Sequence, residues 1–361
     1  MRLRPLLGAW ERNEEFENLM LALHEKPAGR MLVSGLEGSQ RAYLYAALYE
    51  HWDGPVFIVA HDSLRAERIY EDLLAFLPEE EVKLLANRDL VIAEGMLGKS
   101  RENWAMRMGA LEKIAEGKRL IFVVPLGAVV YRMMPSHAWF GRIIPLRLNI
   151  HVDREKLIED LANLGYERVP LIEEKAQFSV RGDIIDFFPP GRENPVRVEL
   201  YDDTVTSIRI FDRVTQRSLD TMKAIRIYPA AEVLLTEADR QKGLEKIREG
   251  LQRAENKLSL RGGTAGRLRE KVERHMARML DRPVLEEDLY GYFSYFFARG
   301  ESLLDYFHEN SLLIFDDPAR IEAAAKELLD RGNDFQSGLL VQGDALCAET
   351  SFNWSYDELV A

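Results

Sequence analysis

Short, almost entirely apolar segments alternate with helical patterns in the first part of this chain. A strand without a polar face is covered on both sides, which is typical of a parallel sheet between two layers of helices. We therefore predict an α/β domain over residues 27–147. Its predicted strands are RMLVSG (30–35), PVFIVA (55–60), VKLLA (82–86) and LIFVVP (120–125), and its predicted helices are QRAYLYAALYEHW (40–52), one from Ser63, and about 100–117.

The pattern changes after residue 147, where apolar and polar residues begin to alternate. Such alternation is typical of an antiparallel sheet with one exposed face. The alternating segments follow a predicted helix at about 153–164, and they are QFSVRGDIIDFFP (177–189), PVRVELYDD (195–203) and TVTSIRIFD (204–212). We predict a small α+β domain over residues 148–230.

The remaining segments are predicted to be mainly helical. Residues 231–350 form a second lobe with helices at about 236–258, 264–281 and 318–331 and a strand at SLLIFD (311–316). Residues 1–26 form a helical arm that we expect to pack on this second lobe. Residues 351–361 form a tail or a linker.

Charge and composition limit the kinds of function. The formal net charge is −12 over 361 residues, which argues against a protein that holds duplex DNA by its phosphates. One cysteine, Cys347, excludes an internal disulfide and suits a reducing cytoplasm. No apolar run approaches the roughly 20 residues that span a membrane, and the scattered histidines predict no metal site.

A phosphate-binding loop is expected between the first predicted strand and the first predicted helix, and here it is degraded. Gly35 matches the first glycine of the pattern and Gly38 lies within the loop, but Gln40 replaces the second glycine. Arg41 replaces the lysine, and Ala42 replaces the hydroxyl residue that binds Mg²⁺. We predict that this loop no longer binds a nucleotide; residual binding at the helix N-terminus is the alternative.

Two further segments resemble parts of a nucleotide site. The apolar strand that ends in Asp316 and Asp317 is placed like a magnesium-binding acidic pair. Asp317 before Pro318 is more simply interpreted as a helix N-cap. The segment 93–100 ends in Gly-Lys-Ser but lacks the leading glycine, so we interpret it as a solvated loop.

The segment 178–189, FSVRGDIIDFFP, is similar to the signature of the UvrB-interaction-type domain. The resemblance continues through the segments 196–200, 208–212, 215–219 and 227–232. UvrB and the bacterial transcription-repair coupling factors share this domain. The degraded loop and the short, tyrosine-poor segment 87–104 resemble the coupling factors rather than UvrB, which has an intact phosphate loop and a long aromatic hairpin.

The resemblance implies a degenerate P-loop helicase-like lobe that carries the inserted domain, and a non-catalytic module that recruits UvrA. It also implies that the full-length protein displaces stalled RNA polymerase by ATP-driven translocation on DNA. ATP and Mg²⁺ would then bind to motor domains outside this segment, so we expect no cofactor and no catalytic residue here. The rest of the protein is expected to contact this module and to mask it. The alternatives are a UvrB-like DNA-binding protein and a P-loop ATPase or helicase subunit.

The candidate UvrA-binding residues follow from this resemblance and from strand alternation. If Phe178 and Val180 face the core, Arg181 lies on the opposite face of the sheet. An arginine there suits a carboxylate of a partner. The candidates are Arg181, then Arg168, with Glu199 as an opposite charge and Phe187 as an apolar anchor.

Overall fold

The computed structural model describes residues 3–25, 29–88, 101–260, 266–342, 345–346 and 353–360. Its helices are α1 (Glu14–Glu25), α2 (Ser39–His51), α3 (Ser63–Leu74), α4 (Arg101–Ala115), α5 (Leu126–Val129), α6 (Ser136–Phe140), α7 (Arg154–Asn163), α8 (Glu237–Leu260), α9 (Gly266–Asp281), α10 (Phe293–Phe296), α11 (Pro318–Gln342) and α12 (Tyr356–Val360). Its strands are β1 (Val56–Ala60), β2 (Val82–Leu84), β3 (Ile121–Pro125), β4 (Ile144–Arg147), β5 (Glu167–Arg168), β6 (Gln177–Arg181), β7 (Ile184–Phe187), β8 (Val196–Tyr201), β9 (Thr204–Phe211), β10 (Ser218–Thr221), β11 (Ala224–Ile227) and β12 (Leu312–Phe315). Single 3₁₀ segments span Arg4–Arg12, Glu287–Tyr292 and Leu303–Tyr306.

The first sheet is parallel, in the order β12-β1-β3-β2. Every residue of β1 and β3 is buried, as their apolar sequences predict. The helices α2 and α3 cover one face, and α4 contributes to the core on the other. The prediction of a parallel α/β sheet is confirmed, as are the strands at PVFIVA, VKLLA and LIFVVP.

The predicted first strand, RMLVSG, is wrong: residues 30–35 are not in a strand. Leu32 is 82% exposed, and Val33 is 48% exposed. Both edges of β1 are already occupied, one by β3 and the other by β12 from far along the chain. Pairing between distant segments has therefore overridden the local preference of this segment for an extended strand.

β12 belongs to this first sheet, although its residues lie in the predicted second lobe. It pairs in parallel with β1, with Val56 opposite Leu312 and Val59 opposite Phe315. The chain therefore leaves the first sheet after β3, builds the second sheet and the helical region, and returns. The domain boundaries at residues 147, 230 and 350 stay predictions.

The N-terminal arm packs on α2, not on the second lobe as predicted. Leu7 and Phe16 are buried in the same core cluster as α2, and the Tyr43 hydroxyl donates to the Leu6 carbonyl at 2.6 Å. The ring of Trp10 lies 5.2 Å from those of Phe16 and Tyr43. Because α2 is apolar on nearly all sides, it needs cover both from the sheet and from a second element.

The second sheet has the order β10-β9-β8-β7-β6-β5, and all its pairs are antiparallel except β5 with β6. Its inner face, which includes Phe178, Ile185 and Val198, shares one core with Trp139 and with Leu161 of α7. β4 and β11 pair antiparallel and bring the entrance and exit of this segment together. The predicted antiparallel sheet and the helix at 153–164 are confirmed.

The helices α8, α9 and α10 bury a separate apolar cluster that includes Ile247, Met279 and Phe293. α11 runs to Gln342, beyond the predicted end at 331. Near the C-terminus, Trp354 donates its amide to the Val130 carbonyl at 2.7 Å, and the Arg132 guanidinium lies 4.2 Å from the Trp354 ring. These contacts dock the predicted tail against the segment that follows β3.

Candidate partner-binding face and degraded phosphate loop

The outer face of the second sheet carries two rows of side chains, all polar except that of Ile184. Strand register places Ser179, Asp186, Arg197 and Arg209 in one row, and Arg181, Ile184, Glu199 and Ser207 in the next. Val196, Val198 and Leu200 of β8 are buried on the other face, as alternation predicts. The predicted direction of Arg181 and Glu199 therefore follows from the pleat.

Asp186 and Arg197 form a two-point ion pair at the centre of this face. Nε and Nη2 of Arg197 donate to the two carboxylate oxygens of Asp186 at 2.7 and 2.8 Å, and Nη2 also donates to Gln216 Oε1 at 3.0 Å. The guanidinium also lies 4.5 Å from the Phe211 ring. The hydrogen bonds to Asp186 raise the pKa of Arg197 above its ordinary value. Arg197 is thus held in one orientation.

Glu199 is paired within the sheet. Its carboxylate accepts a hydrogen bond from Nη2 of Arg209, and Nε of Arg209 donates to Ser207 Oγ at 2.8 Å. Both side chains remain about one third exposed, at 34% for Arg209 and 30% for Glu199. Sequence reasoning missed Arg209, although its position opposite Arg197 follows once the β8–β9 register is known.

Arg181 lies exposed at the end of β6, where Gly182 begins the turn to β7 with φ of +57°. Its Nη2 donates to the Pro170 carbonyl at 3.1 Å. Within the described ranges no carboxylate of the protein pairs with Arg181. The carbonyl orients the guanidinium while its full positive charge stays available.

The other two candidates do not lie beside Arg181. Arg168 is exposed on the edge strand β5 and pairs with Phe178 of β6, whose side chain faces the core. Paired residues project from the same face of a sheet, so Arg168 and Arg181 lie on opposite faces. Phe187 is 0% exposed and packs edge-on against Tyr166, with ring centroids 6.3 Å apart. The predicted role of Phe187 as an apolar anchor is wrong, because a fully buried ring has no surface for a partner.

The loop predicted to be a degraded phosphate loop forms a turn and contains an ion pair within the protein. Gly35 and Gly38 have positive φ angles of +86° and +53°. Nη1 of Arg41 reaches Oδ1 of Asp316 at 3.1 Å, across from the end of β12. Ala42 is buried, at 2% exposure. Arg41, which stands where the pattern has lysine, is therefore directed at a carboxylate of the protein itself.

Asp316 is the centre of a closed network. Nε of Arg65 donates to Asp316 Oδ2 at 2.6 Å, and the Tyr45 hydroxyl donates to Oδ1 at 2.6 Å. Burial alone would raise the pKa of Asp316, but the hydrogen bonds from Arg65, Tyr45 and Arg41 outweigh it and lower that pKa. Asp316 therefore stays charged against two guanidinium groups, an arrangement unlike a carboxylate open to a magnesium ion. Sequence reasoning missed Arg65 and Tyr45, since neither belongs to a recognisable motif.

Asp317 behaves as a helix cap: the Arg320 amide donates to its carboxylate at 3.4 Å in the first turn of α11. This supports the simpler interpretation of the Asp316–Asp317 pair. The Gly-Lys-Ser segment at 93–100 and Cys347 lie outside the described residues. In the part of the chain that the structure describes, no group of three acidic, histidine or cysteine residues is placed to hold a metal ion. No described helix has the length and apolarity to cross a membrane.

Comparisons with known proteins identify the segment that forms the second sheet. Residues 144–232 match the family model of the UvrB interaction domain. The chain is 30% identical over 352 residues to a transcription-repair-coupling factor of Bacillus subtilis (strain 168), covering 97% of this chain and 29% of that protein. It is 26% identical over 334 residues to a coupling factor of Staphylococcus epidermidis (strain RP62A), covering 91% of this chain and 28% of the relative. A coupling factor of Staphylococcus aureus (strain MRSA252) is 26% identical over 322 residues, covering 88% and 27%.

The chain spans less than a third of the length of these relatives. The similarity extends over nearly all of this chain, from the first sheet through the UvrB interaction domain to the helical region. The chain is therefore similar over nearly its whole length to part of the bacterial transcription-repair-coupling factors, and its residues 144–232 match the UvrB interaction domain, as expected for their amino-terminal, UvrB-like region.

Proposed function

We propose that this region recruits UvrA through the outer face of its second sheet. The observation that carries the proposal is Arg181, an exposed guanidinium that a backbone carbonyl orients and that no described carboxylate neutralises. In the neighbouring row of the same face, buried Asp186 fixes the partly exposed side chain of Arg197, so the surface beside Arg181 is rigid. A partner carboxylate at Arg181 would form a charge-assisted pair without first breaking an internal one.

Leu171 takes the place of Phe187 as the proposed apolar contact. It follows Pro170, whose carbonyl accepts the hydrogen bond from Arg181, and it is 46% exposed. An apolar side chain beside an oriented arginine matches the composition of energetically important interface positions. The Glu199–Arg209 pair is proposed to lie at the rim of this surface, whereas Arg168, which leaves the edge strand on the other side, is left out of it.

We further propose that this region has no ATPase activity of its own. The Asp316 network supports this, because Arg41 and Asp316 neutralise each other where a nucleotide site would offer each of them to a phosphate or to Mg²⁺. In the full-length protein, ATP and Mg²⁺ would bind to other domains. Those domains would drive translocation on DNA and displacement of stalled RNA polymerase, and their contact with this region would mask the UvrA-binding face.

The test is capture of purified UvrA by the 361-residue polypeptide and by Arg181→Ala. Removing a central interface arginine costs about 2 kcal/mol or more, so we expect roughly thirtyfold weaker binding. Arg217→Ala, an exposed arginine of the β9–β10 turn, is the matched control and should bind like the wild type. Undiminished capture by Arg181→Ala would remove the site assignment.

A second measurement tests the non-catalytic role. Titration with a fluorescent ATP analogue should show no binding that depends on Mg²⁺, and ATP turnover should stay at background. Turnover that Asp316→Asn abolishes would favour the alternative, a P-loop ATPase.

A further inference from the structure

A cavity of about 300 Å³ opens at the carboxyl ends of β1 and β12, beside the degraded loop. In open α/β sheets this end is where ligands bind. Four arginines line the cavity: Arg41 of α2, Arg65 and Arg68 of α3, and Arg320 of α11. Such a concentration of guanidinium groups is unexpected in a chain of net charge −12.

The carboxylates in the cavity wall are committed to other tasks. Asp316, with a side chain that is 0% exposed, is held by Arg41 and Arg65. Asp62 caps α3 by accepting the Arg65 amide at 2.7 Å. Asp317 caps α11 and lies 3.4 Å from Nε of Arg320. Three carboxylates thus face four guanidinium groups, which leaves one positive charge in excess.

Donor groups also remain. Arg41 uses Nε and Nη1 in hydrogen bonds, and Arg65 uses Nε and Nη2, so each retains a terminal nitrogen with hydrogens to donate. Arg68 is exposed, and among the described residues it has no ion-pair or hydrogen-bond partner. The Asp316 carboxylate holds Arg41 and Arg65, and both arginines line the cavity.

The backbone adds to this field. The 13-residue helix α2 begins beside the cavity, and its N-cap residue Gly38 provides no side-chain cap. The positive end of the helix dipole is therefore directed at the same space. This contribution is secondary to the arginines, but it has the same sign.

The cavity is matched to an anion smaller than a nucleoside triphosphate. Gln40 occupies the position of the second glycine, and its side chain accepts the Glu37 amide at 3.0 Å, which folds it back over the loop. Arg41 is turned inwards to Asp316 instead of reaching outwards along a phosphate chain. We propose that the cavity binds a small phosphate-type oxyanion, either free inorganic phosphate or pyrophosphate or the terminal phosphate of a nucleotide, through Arg41, Arg65 and Arg68. This site is independent of the UvrA-binding face.

The test uses inorganic pyrophosphate as the probe, by calorimetric titration of the 361-residue polypeptide at constant ionic strength with chloride as the reference anion. We expect saturable binding that Arg68→Gln weakens about tenfold, the typical effect of losing one charge-assisted hydrogen bond. Arg331→Gln is the control, because Arg331 of α11 is an exposed arginine like Arg68 of α3 but does not line the cavity. Melting temperatures measured without anion establish that both variants are folded.

The sources of the phosphate are distinguished by a second arm with ATP, with and without Mg²⁺. Binding of ATP no tighter than that of pyrophosphate, and indifferent to Mg²⁺, supports an oxyanion site that sees only the terminal phosphates. Much tighter, Mg²⁺-dependent ATP binding would overturn the proposal in favour of a nucleotide site. No pyrophosphate binding beyond the chloride reference, or equal weakening by Arg331→Gln, would also overturn it. UvrA capture by Arg68→Gln should equal that of the wild type, so failure here leaves the proposed function standing.

Discussion

Neutralising the buried carboxylate of Glu232 by Glu232→Gln is expected to destabilise the protein strongly. The Glu232 side chain is 8% exposed. Nε of Arg107 donates to Oε1 of Glu232, and Nη2 of Arg107 donates to Oε2 at 3.0 Å. Nε of Arg88 lies 3.6 Å away, and the Arg88 guanidinium is 3.9 Å from the Tyr290 ring. Glu232 follows the second sheet and pairs with Arg88 and Arg107 of the first lobe. Through Arg88 the pairing extends to Tyr290 of the helical region, so three parts of the chain meet here.

The expected loss of stability in Glu232→Gln can be derived in two independent ways. Burial would raise the pKa of Glu232, but Arg107 and Arg88 outweigh it and lower that pKa to about 2. Compared with an ordinary value near 4.5, this corresponds to about 3 kcal/mol of stability. Removing one partner of a buried ion pair costs about 3–5 kcal/mol, because the other charge stays buried. At about 2 °C per kcal/mol, the melting temperature should fall by about 6–10 °C.

The assay is thermal unfolding followed by circular dichroism, with Glu249→Gln, an exposed glutamate of α8, as the control. A change in Glu232→Gln as small as in this control would refute the reasoning, since attraction and desolvation would then cancel. The pH dependence gives a second check. Because the folded-state pKa is lowered, the contribution of Glu232 is complete above about pH 4.5 and is lost as the pH falls towards 2. The wild type should lose its advantage over Glu232→Gln in that window.

Three further outcomes are expected. Asp316→Asn should lower the free energy of unfolding in urea by about 3 kcal/mol, because it leaves Arg41 and Arg65 facing a neutral amide; a loss no greater than that of an exposed Asp→Asn change would contradict the network. Phe187→Ala should destabilise by about 3–5 kcal/mol through an unfilled core cavity, while UvrA affinity per folded molecule stays unchanged; a specific loss of affinity would restore Phe187 to the interface. Arg209→Gln should change stability by less than about 1 kcal/mol because the pair with Glu199 is partly exposed, but it should alter the salt dependence of UvrA binding, and an unaltered salt dependence would place Glu199 outside the interface.

Local patterns were sufficient for much of the fold. β1 and β3 are apolar throughout and sit in the interior of the first sheet, and β8 alternates and faces the core with one side only. The outward direction of Arg181 and Glu199 followed from the same alternation. These features depend on a few neighbouring residues, and no distant contact opposes them.

The failures involve contacts between distant segments. Residues 30–35 have the composition of a strand, yet β12, which joins from the far end of the chain, lies at the edge of β1. Phe187 has the period of the core face, but only the completed core shows that its ring is enclosed. Arg65 meets Asp316 across 251 positions, a partnership that the spacing of charges along the chain does not reveal.

The late return of β12 has a consequence for synthesis on the ribosome. The edge of β1 that pairs with β12 stays unpaired until about 250 further residues have been translated. At roughly 5–20 residues per second, this interval is on the order of 10–50 s. A nascent chain with an uncovered, wholly apolar strand is a substrate for chaperones and for mispairing between neighbouring chains on a polysome. During that time the N-terminal arm covers α2, which lies on one face of the sheet, and leaves the edge of β1 open. The yield of folded protein should therefore depend on the elongation rate and on the supply of holdase chaperones.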